Sequence, residues 1–213
     1  MSKEKEWLLK SLGAEAVKAL KKNGFDAELL SERSEILPRL RKLVSSNSTV
    51  GFGGSRTLEE TGVFEWLRGG DFKLLDRSKP GISKEEKERL QKQALTADLF
   101  FAGVNAVGLD GVLVFIDGYG NRVAPILYGP DRVILICGAN KIASDRDAAL
   151  RRAKEIAAPL NAYRLNRATP CVQTGHCANC QSAERICNYT VILDKSPHPG
   201  RIKVFIVCEE LGL

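Results

Sequence analysis

The sequence predicts an α/β fold, a mostly parallel sheet flanked by helices. Two observations carry that prediction. Residues 99–104 (Leu-Phe-Phe-Ala-Gly-Val) and Val133-Ile134-Leu135-Ile136-Cys137 are apolar without alternation, as strands buried on both faces of a sheet are. Between such runs lie segments with apolar residues at helical spacing and capping residues at their starts. Strands that alternate with helices form parallel sheets.

Each element has its own signal. Residues 3–22 carry Leu8, Leu12, Ala16 and Leu20 at four-residue spacing, one helix face, and Gly24 is a natural stop. Residues 25–30 make a short strand. Residues 32–46 read as a helix that starts near Pro38. Thr49-Val50-Gly51-Phe52-Gly53 is a strand running into a glycine loop. A helix over residues 58–68 follows, with Thr57 and Glu60 as its capping box. Residues 72–75 are the next strand, and Ser83 with Glu86 opens a charged helix that reaches Thr96. Residues 112–116 and 123–127 read as two strands joined by Asp117-Gly118-Tyr119-Gly120-Asn121, a tight connection with hairpin chemistry. A helix from Asp145 to Ala158 is expected to close at Pro159, and strands at 190–193 and 202–207 finish the chain. The 213 residues suit one α/β domain over 1–213, with 171–187 a cysteine-rich loop within it.

Composition narrows the function classes. With 44% hydrophobic and 27% charged residues the chain is an ordinary globule. No stretch approaches the roughly 18–20 apolar residues that span a bilayer. The start, Met1-Ser2-Lys3-Glu4-Lys5-Glu6, alternates charge and does not read as a secretory signal. A cytoplasmic protein without membrane insertion is expected. The net charge is +6, and residues 145–203 hold ten Lys/Arg against five Asp/Glu. That bias suits either an anionic partner or a solvated basic face. No nucleic-acid motif accompanies it and aromatics are only 7%, so no nucleic-acid partner is expected.

Three constellations carry chemistry. The first is Gly51-Phe52-Gly53-Gly54-Ser55-Arg56-Thr57, between a strand and a helix. Glycines let the backbone turn sharply and expose its amides, which suits a phosphate or carboxylate. Gly53, Gly54, Ser55 and Thr57 are therefore candidate ligand-binding residues. The spacing is neither the Walker pattern nor the dinucleotide fingerprint, and a tight strand-to-helix turn explains the glycines equally well. The second is Asn105 with Asp110-Gly111, followed by Asp117, Asn121 and Arg122. These follow strand ends, where open α/β sheets gather ligands. Lys141 also follows a strand end. The competing reading is turn chemistry, since Asp-Gly and Gly-Asn make turns without any function.

The third constellation is Cys171, Cys177, Cys180 and Cys187, spaced C-x5-C-x2-C-x6-C. In a reducing compartment, clustered cysteines point to metal or redox chemistry rather than disulfides. Four thiolates suit an iron–sulfur cluster or zinc, and His176 is an alternative ligand. The spacing matches neither common zinc pairs nor ferredoxin runs, so redox thiols and inert loop cysteines also stay open. Cys137 and Cys208 end apolar runs and read as core.

Read together, these segments resemble the LUD (lactate-utilisation) domain family. The matching residues are Gly51-Phe52-Gly53-Gly54-Ser55 with Thr57, Asn105-Ala106 with Asp110-Gly111, and Asp117-Gly118-Tyr119-Gly120-Asn121-Arg122-Val123. Gly129-Pro130, Gly138 with Asn140-Lys141, Arg151, Pro159-Leu160-Asn161-Ala162 and Pro170-Cys171 through Cys187 complete the match. The resemblance implies a fold like that of ribose-5-phosphate isomerase and CoA transferases. It also implies an anion held by Gly53-Gly54-Ser55, and Glu60, Asp110 and Asp117 as acidic candidates for base or nucleophile. Relatives take part in oxidising lactate to pyruvate beside iron–sulfur redox proteins; this chain lacks a ferredoxin-type segment of its own. Three functions follow as expectations: a lactate-utilisation protein that binds a small anionic metabolite and works with redox partners, a stand-alone isomerase- or transferase-like enzyme, or a non-catalytic metal or redox sensor.

Overall fold

The computed structural model describes residues 2–213. Helix α1 (Lys3–Lys22) starts at Ser2, whose hydroxyl accepts from the Lys5 amide at 3.3 Å. It buries Leu9, Gly13, Ala16, Val17 and Leu20. The buried stripe is thus rotated from the expected one: Leu8 is exposed, and Gly13 lets the Leu29 side chain approach the helix. Gly24, at φ +84°, ends the turn after it.

Strand β1 (Asp26–Leu30) leads to helix α2 (Ile36–Leu43), which carries Pro38 in its first turn, where a missing N–H costs nothing. Strand β2 (Thr49–Phe52) runs into the glycine loop and helix α3 (Arg56–Glu60). The cap is Ser55, which accepts from the Leu58 amide at 3.3 Å, rather than Thr57, which is buried inside the helix. Gly62, at φ +69°, breaks the expected single helix, and α4 (Val63–Gly69) follows. Then come β3 (Lys73–Leu74), α5 (Lys84–Gln93), capped by Ser83, and β4 (Leu99–Gly103).

Strands β5 (Ala106–Gly108) and β6 (Leu113–Asp117) form a hairpin. Residues 123–127 are not its partner strand. They form helix α6 (Val123–Leu127), started by the Asp117 carboxylate, which accepts from the amides of Arg122 and Val123 at 3.0 Å each. Strand β7 (Arg132–Gly138) and the short β8 (Ile142–Ala143) follow.

Helix α7 (Arg146–Arg152) opens at Asp145, passes through a wide π turn at Ala153–Ala157, and continues as α8 (Ala158–Arg164). Pro159 therefore does not close the helix. It has no N–H to donate and its ring crowds the carbonyl four residues back; a π turn just ahead absorbs both defects. A short helix α9 (Pro170–Thr174), strand β9 (Tyr189–Leu193) and strand β10 (Ile202–Val207) complete the chain.

The main sheet has the order β1-β10-β7-β4-β2-β3, with every pairing parallel. Side chains alternate across β7. Val133, Leu135 and Cys137 pack with α1 residues Leu9, Ala16, Val17 and Leu20, whereas Ile134 and Ile136 pack with Leu40, Leu58, Val63 and Leu67 on the other face. Both faces are covered, so the expected mostly parallel α/β fold holds. Each fully buried Leu or Phe here contributes about 1.5–3 kcal/mol relative to exposure. A second sheet, β8-β5-β6-β9, is mixed and packs Ala106, Val112 and Val114 against Ala149 and Ala153. None of the helices among the described residues is long and apolar enough to cross a membrane.

Candidate anion-binding site

Parallel strands put all their carboxyl ends on one edge of the sheet, where side chains and loops can converge on a ligand. An open pocket of about 370 Å³, part of it bulk solvent, lies on that edge. Its wall includes Gly54, Ser55, Asn105, Arg122, Lys141 and Arg164. The loop after β2 thus meets the ends of β4 and β7, as the sequence suggested.

Glycines let the groups approach. A Cβ at Gly53 would stand 2.8 Å from Cγ of Arg122, so the bare backbone is what lets that side chain lie against the loop. Gly103 leaves room for the Ser55 hydroxyl in the same way. The Arg122 guanidinium donates to the Asn105 side-chain oxygen at 2.7 Å and to the carbonyls of Ile116 at 2.5 Å and Gly103 at 3.4 Å. It also stands over the Phe115 ring, 5.8 Å from its centroid. Asn105 is fixed further: its side-chain oxygen accepts from the Ile116 amide at 3.0 Å, and its carbonyl accepts from Arg152 at 2.7 Å.

Lys141 is buried at the same place, 4% exposed. Its ammonium donates to the Thr57 hydroxyl at 2.9 Å and to the Val104 carbonyl at 3.2 Å. Burial lowers its pKa to about 8, and the Arg152 and Arg122 charges push the same way. Arg77, which donates to the Phe52 carbonyl at 3.2 Å, and Arg122 are also held below the ordinary guanidinium range by burial. Among the described residues, the ion pairs include none made by Arg77, Arg122 or Lys141. Arg122 and Lys141 thus meet on the cavity wall, with Arg77 beside the glycine loop, and the Asp117 charge offsets only part of the desolvation cost of the two arginines. Lys141, titrating near 8, can also give up and take back a proton at neutral pH.

The acidic candidates lie elsewhere. Asp117 accepts four backbone N–H bonds, from Tyr119, Gly120, Arg122 and Val123, at 3.0–3.3 Å. It holds the turn that carries Arg122 rather than facing the cavity. Asp110 sits in the turn at the far end of the β5–β6 hairpin from Asn105, and its carboxylate accepts from the Arg146 amide at 2.9 Å. The expectation of one cleft for Asn105, Asp110, Asp117, Asn121 and Arg122 is corrected on this point, because a hairpin separates its own two ends. Glu60 accepts from the Gly212 amide at 2.7 Å and from Arg56 at 3.1 Å. Neither Asn121 nor any of the three carboxylates is on the cavity wall, and Thr57 stands behind Lys141 as its hydrogen-bond acceptor.

Arg77, Arg152 and Arg164 escaped the sequence reading. Arg164 had a usable signal: with Ala157 and Asn161 it falls at i, i+4, i+7, one helix face, and all three line the cavity. Arg77 and Arg152 sit among charged surface residues in sequence, with no spacing to mark them.

The four cysteines occupy a second depression, of about 360 Å³ and open to solvent. Cys171, Cys177, Cys180 and Cys187 all line it, together with Ala158, Pro159 and Ala162 of α8. Their thiols are free. Among the described residues, no three of His, Cys, Asp and Glu come close enough to hold one metal ion. His176 is exposed, with Nδ1 at 3.3 Å from the Thr174 carbonyl, and is not on the wall. Cys137 lies in β7 and Cys208 directly after β10, both buried and apart from the four, as expected.

A mostly parallel sheet with helices on both faces makes this an open-sheet α/β protein. A family profile described as the LUD domain matches residues 13–207, and the chain belongs to that family. Membership is consistent with a lactate-utilisation-type function. Among solved structures, a DUF162 family protein from Deinococcus radiodurans is similar, at 14% identity and a TM-score of 0.49. That match covers 93% of this chain and 98% of the other. The eIF2B delta chain from Chaetomium thermophilum is similar over 57% of this chain and 54% of its own, at 19% identity and a TM-score of 0.36. No curated protein matches the chain.

Proposed function

We propose that this protein binds a small anionic metabolite of lactate oxidation, a 2-hydroxy or 2-oxo carboxylate, in the cavity beside Gly54 and Ser55, and works in the cytoplasm with redox partners. The observation that carries the reading is the pair of mostly buried cations on the cavity wall, Arg122 and Lys141, with Arg77 beside the glycine loop and none of the three in an ion pair among the described residues. A held guanidinium and a nearby ammonium suit a carboxylate, since both place fixed positive charge and a donor beside it. Family membership supplies the metabolic setting. Support for partners comes from the outer face of the π turn and α8, where Ile156, Leu160 and Tyr163 form an exposed apolar stripe.

A second reading rests on Lys141. An amine titrating near 8 beside an anion site equips the chain to act alone, as an isomerase- or transferase-like enzyme on a phosphorylated or acyl substrate. Calorimetric titration with L-lactate, pyruvate, ribose 5-phosphate and acetyl-CoA separates the two. Binding of the simple carboxylates supports the first reading. Exclusive binding of the sugar phosphate or the thioester replaces it with the second, and binding of none of them removes both.

A further inference from the structure

The cysteine depression lies against a neighbouring face of α8, about 100° around the helix from the face that walls the anion cavity. Lys154, Ala158 and Ala162 recur at four-residue spacing and present one helix face to the cysteines. The loop opposite is shaped by two left-handed residues, Gly175 at φ +75° and Asn179 at φ +44°, the second lying between Cys177 and Cys180. Asn adopts the left-handed conformation more readily than other residues with a Cβ, and here it turns the C-x2-C segment whose two cysteines reach the same wall. Arg185 ties the two ends of the loop together, donating to the Cys180 carbonyl at 2.8 Å and to the Cys187 carbonyl at 3.1 and 3.2 Å. The Thr169 hydroxyl lies 3.2 Å from the Cys171 sulfur. The rest of the wall is Ala158, Pro159, Ala162, Ala178, Asn179 and Ile186, with Lys154 and Arg185 as its charges and no carboxylate.

Four thiols on one apolar wall beside two cations make a donor set for a cationic inorganic centre. The thiolates supply four negative charges, and the Lys154 and Arg185 cations offset the remainder once the centre is bound. The geometry also bears on which centre. Sulfurs around one tetrahedral zinc stand about 3.8 Å apart, from Zn–S bonds of about 2.3 Å. Among the described residues, no three of these cysteines are gathered as the ligands of one metal ion. A cluster places its ligands around several irons and so spreads its sulfurs wider than a single ion does. We infer that Cys171, Cys177, Cys180 and Cys187 bind an iron–sulfur cluster in the depression against α8.

The test uses the full chain purified without oxygen and then reconstituted with ferrous iron and sulfide. Iron and acid-labile sulfide are expected in equal amounts, about two or about four of each per chain, with visible charge-transfer absorbance. The double variant Cys177→Ala/Cys180→Ala is expected to lose both to background while its circular dichroism stays that of the wild type. His176→Ala is expected to keep both in full. Should the double variant fail to fold, Arg185→Ala serves in its place, with faster loss of the cluster in air expected. Stoichiometric zinc without colour, disulfide-paired cysteines in the anaerobic protein, or iron below about a tenth of an equivalent after reconstitution would each overturn the assignment. None of these outcomes depends on what the anion cavity binds.

Discussion

The Lys141 ammonium donates to the Thr57 hydroxyl at 2.9 Å, joining the short turn Ala139–Lys141 after β7 to the first turn of α3. The bond fixes a lysine whose other protein acceptor is the Val104 carbonyl at 3.2 Å, directly after β4. One amine thereby ties together the three chain segments that build the cavity.

Titration of that amine gives the first prediction. Its pKa of about 8 in the free protein rises when an anion binds, because the anion favours the charged form. Below about 8 the lysine is protonated in both states, so affinity is flat. Above it the free protein must take up a proton to bind, so affinity falls, by at most about tenfold per pH unit. Calorimetry with pyruvate from about pH 7 to about pH 9 in buffers of different ionisation enthalpy reads both the slope and the proton uptake. Lys141→Met is expected to bind weakly and without that slope. Constant wild-type affinity across the range would show that Lys141 does not face the anion.

Arg122 should matter more than any other single cation, because Asn105, Ile116 and Gly103 hold it rigidly in place. Arg122→Met is expected to weaken anion binding roughly 10–100-fold, the worth of a charged hydrogen bond at about 1.5–3 kcal/mol. Arg122→Lys should recover only part of it, since the planar fork is lost. Equal affinity in wild type and Arg122→Met would place the anion elsewhere.

The glycines of the loop are not equivalent. Alanine at Gly53 would press on Cγ and Cδ of Arg122 at 2.8 and 3.0 Å, near the root of a held side chain. Alanine at Gly54 would meet only the tip of Arg77, at 3.1 Å. Gly53→Ala is therefore expected to lower affinity at least about as far as loss of one charged hydrogen bond, whereas Gly54→Ala should leave thermal stability near wild type. Reversal of that order in paired binding and melting measurements would count against the packing described.

Asp117 serves the site from behind. Its carboxylate accepts four amide hydrogens and sets where Arg122 leaves the backbone. Asp117→Ala should cost about 2 kcal/mol in denaturant unfolding, the upper range for loss of a cap, and should weaken anion binding as well. A direct base would instead lose turnover with stability intact.

What sequence made legible follows a physical divide. The runs of β4 and β7 are apolar on both faces, so burial alone declares them, and the Gly53-Gly54-Ser55 loop sits where their edge had to place it. Residues 123–127 misled because Val, Ile and Leu fit a strand, and the deciding contact comes from the side chain of Asp117, six residues before Val123. The strands β5 and β8 are three and two residues long, too short to show any period. Asp110 and Asn105 stand five positions apart in the sequence, yet a hairpin carries them to opposite ends of the second sheet. That separation is a tertiary fact with no local trace.

The wide turn at Ala153–Ala157 fixes more than the course of one helix. Directly after it, alternate faces of α8 serve two different chambers: Asn161 and Arg164 wall one, Ala158 and Ala162 the other. Adding or removing one residue ahead of Ala158 would rotate the helix by about 100° and turn both sets of side chains away from their chambers at once. Evolution of either chamber is therefore constrained by the other, and length changes in this stretch are the kind the protein is least able to absorb.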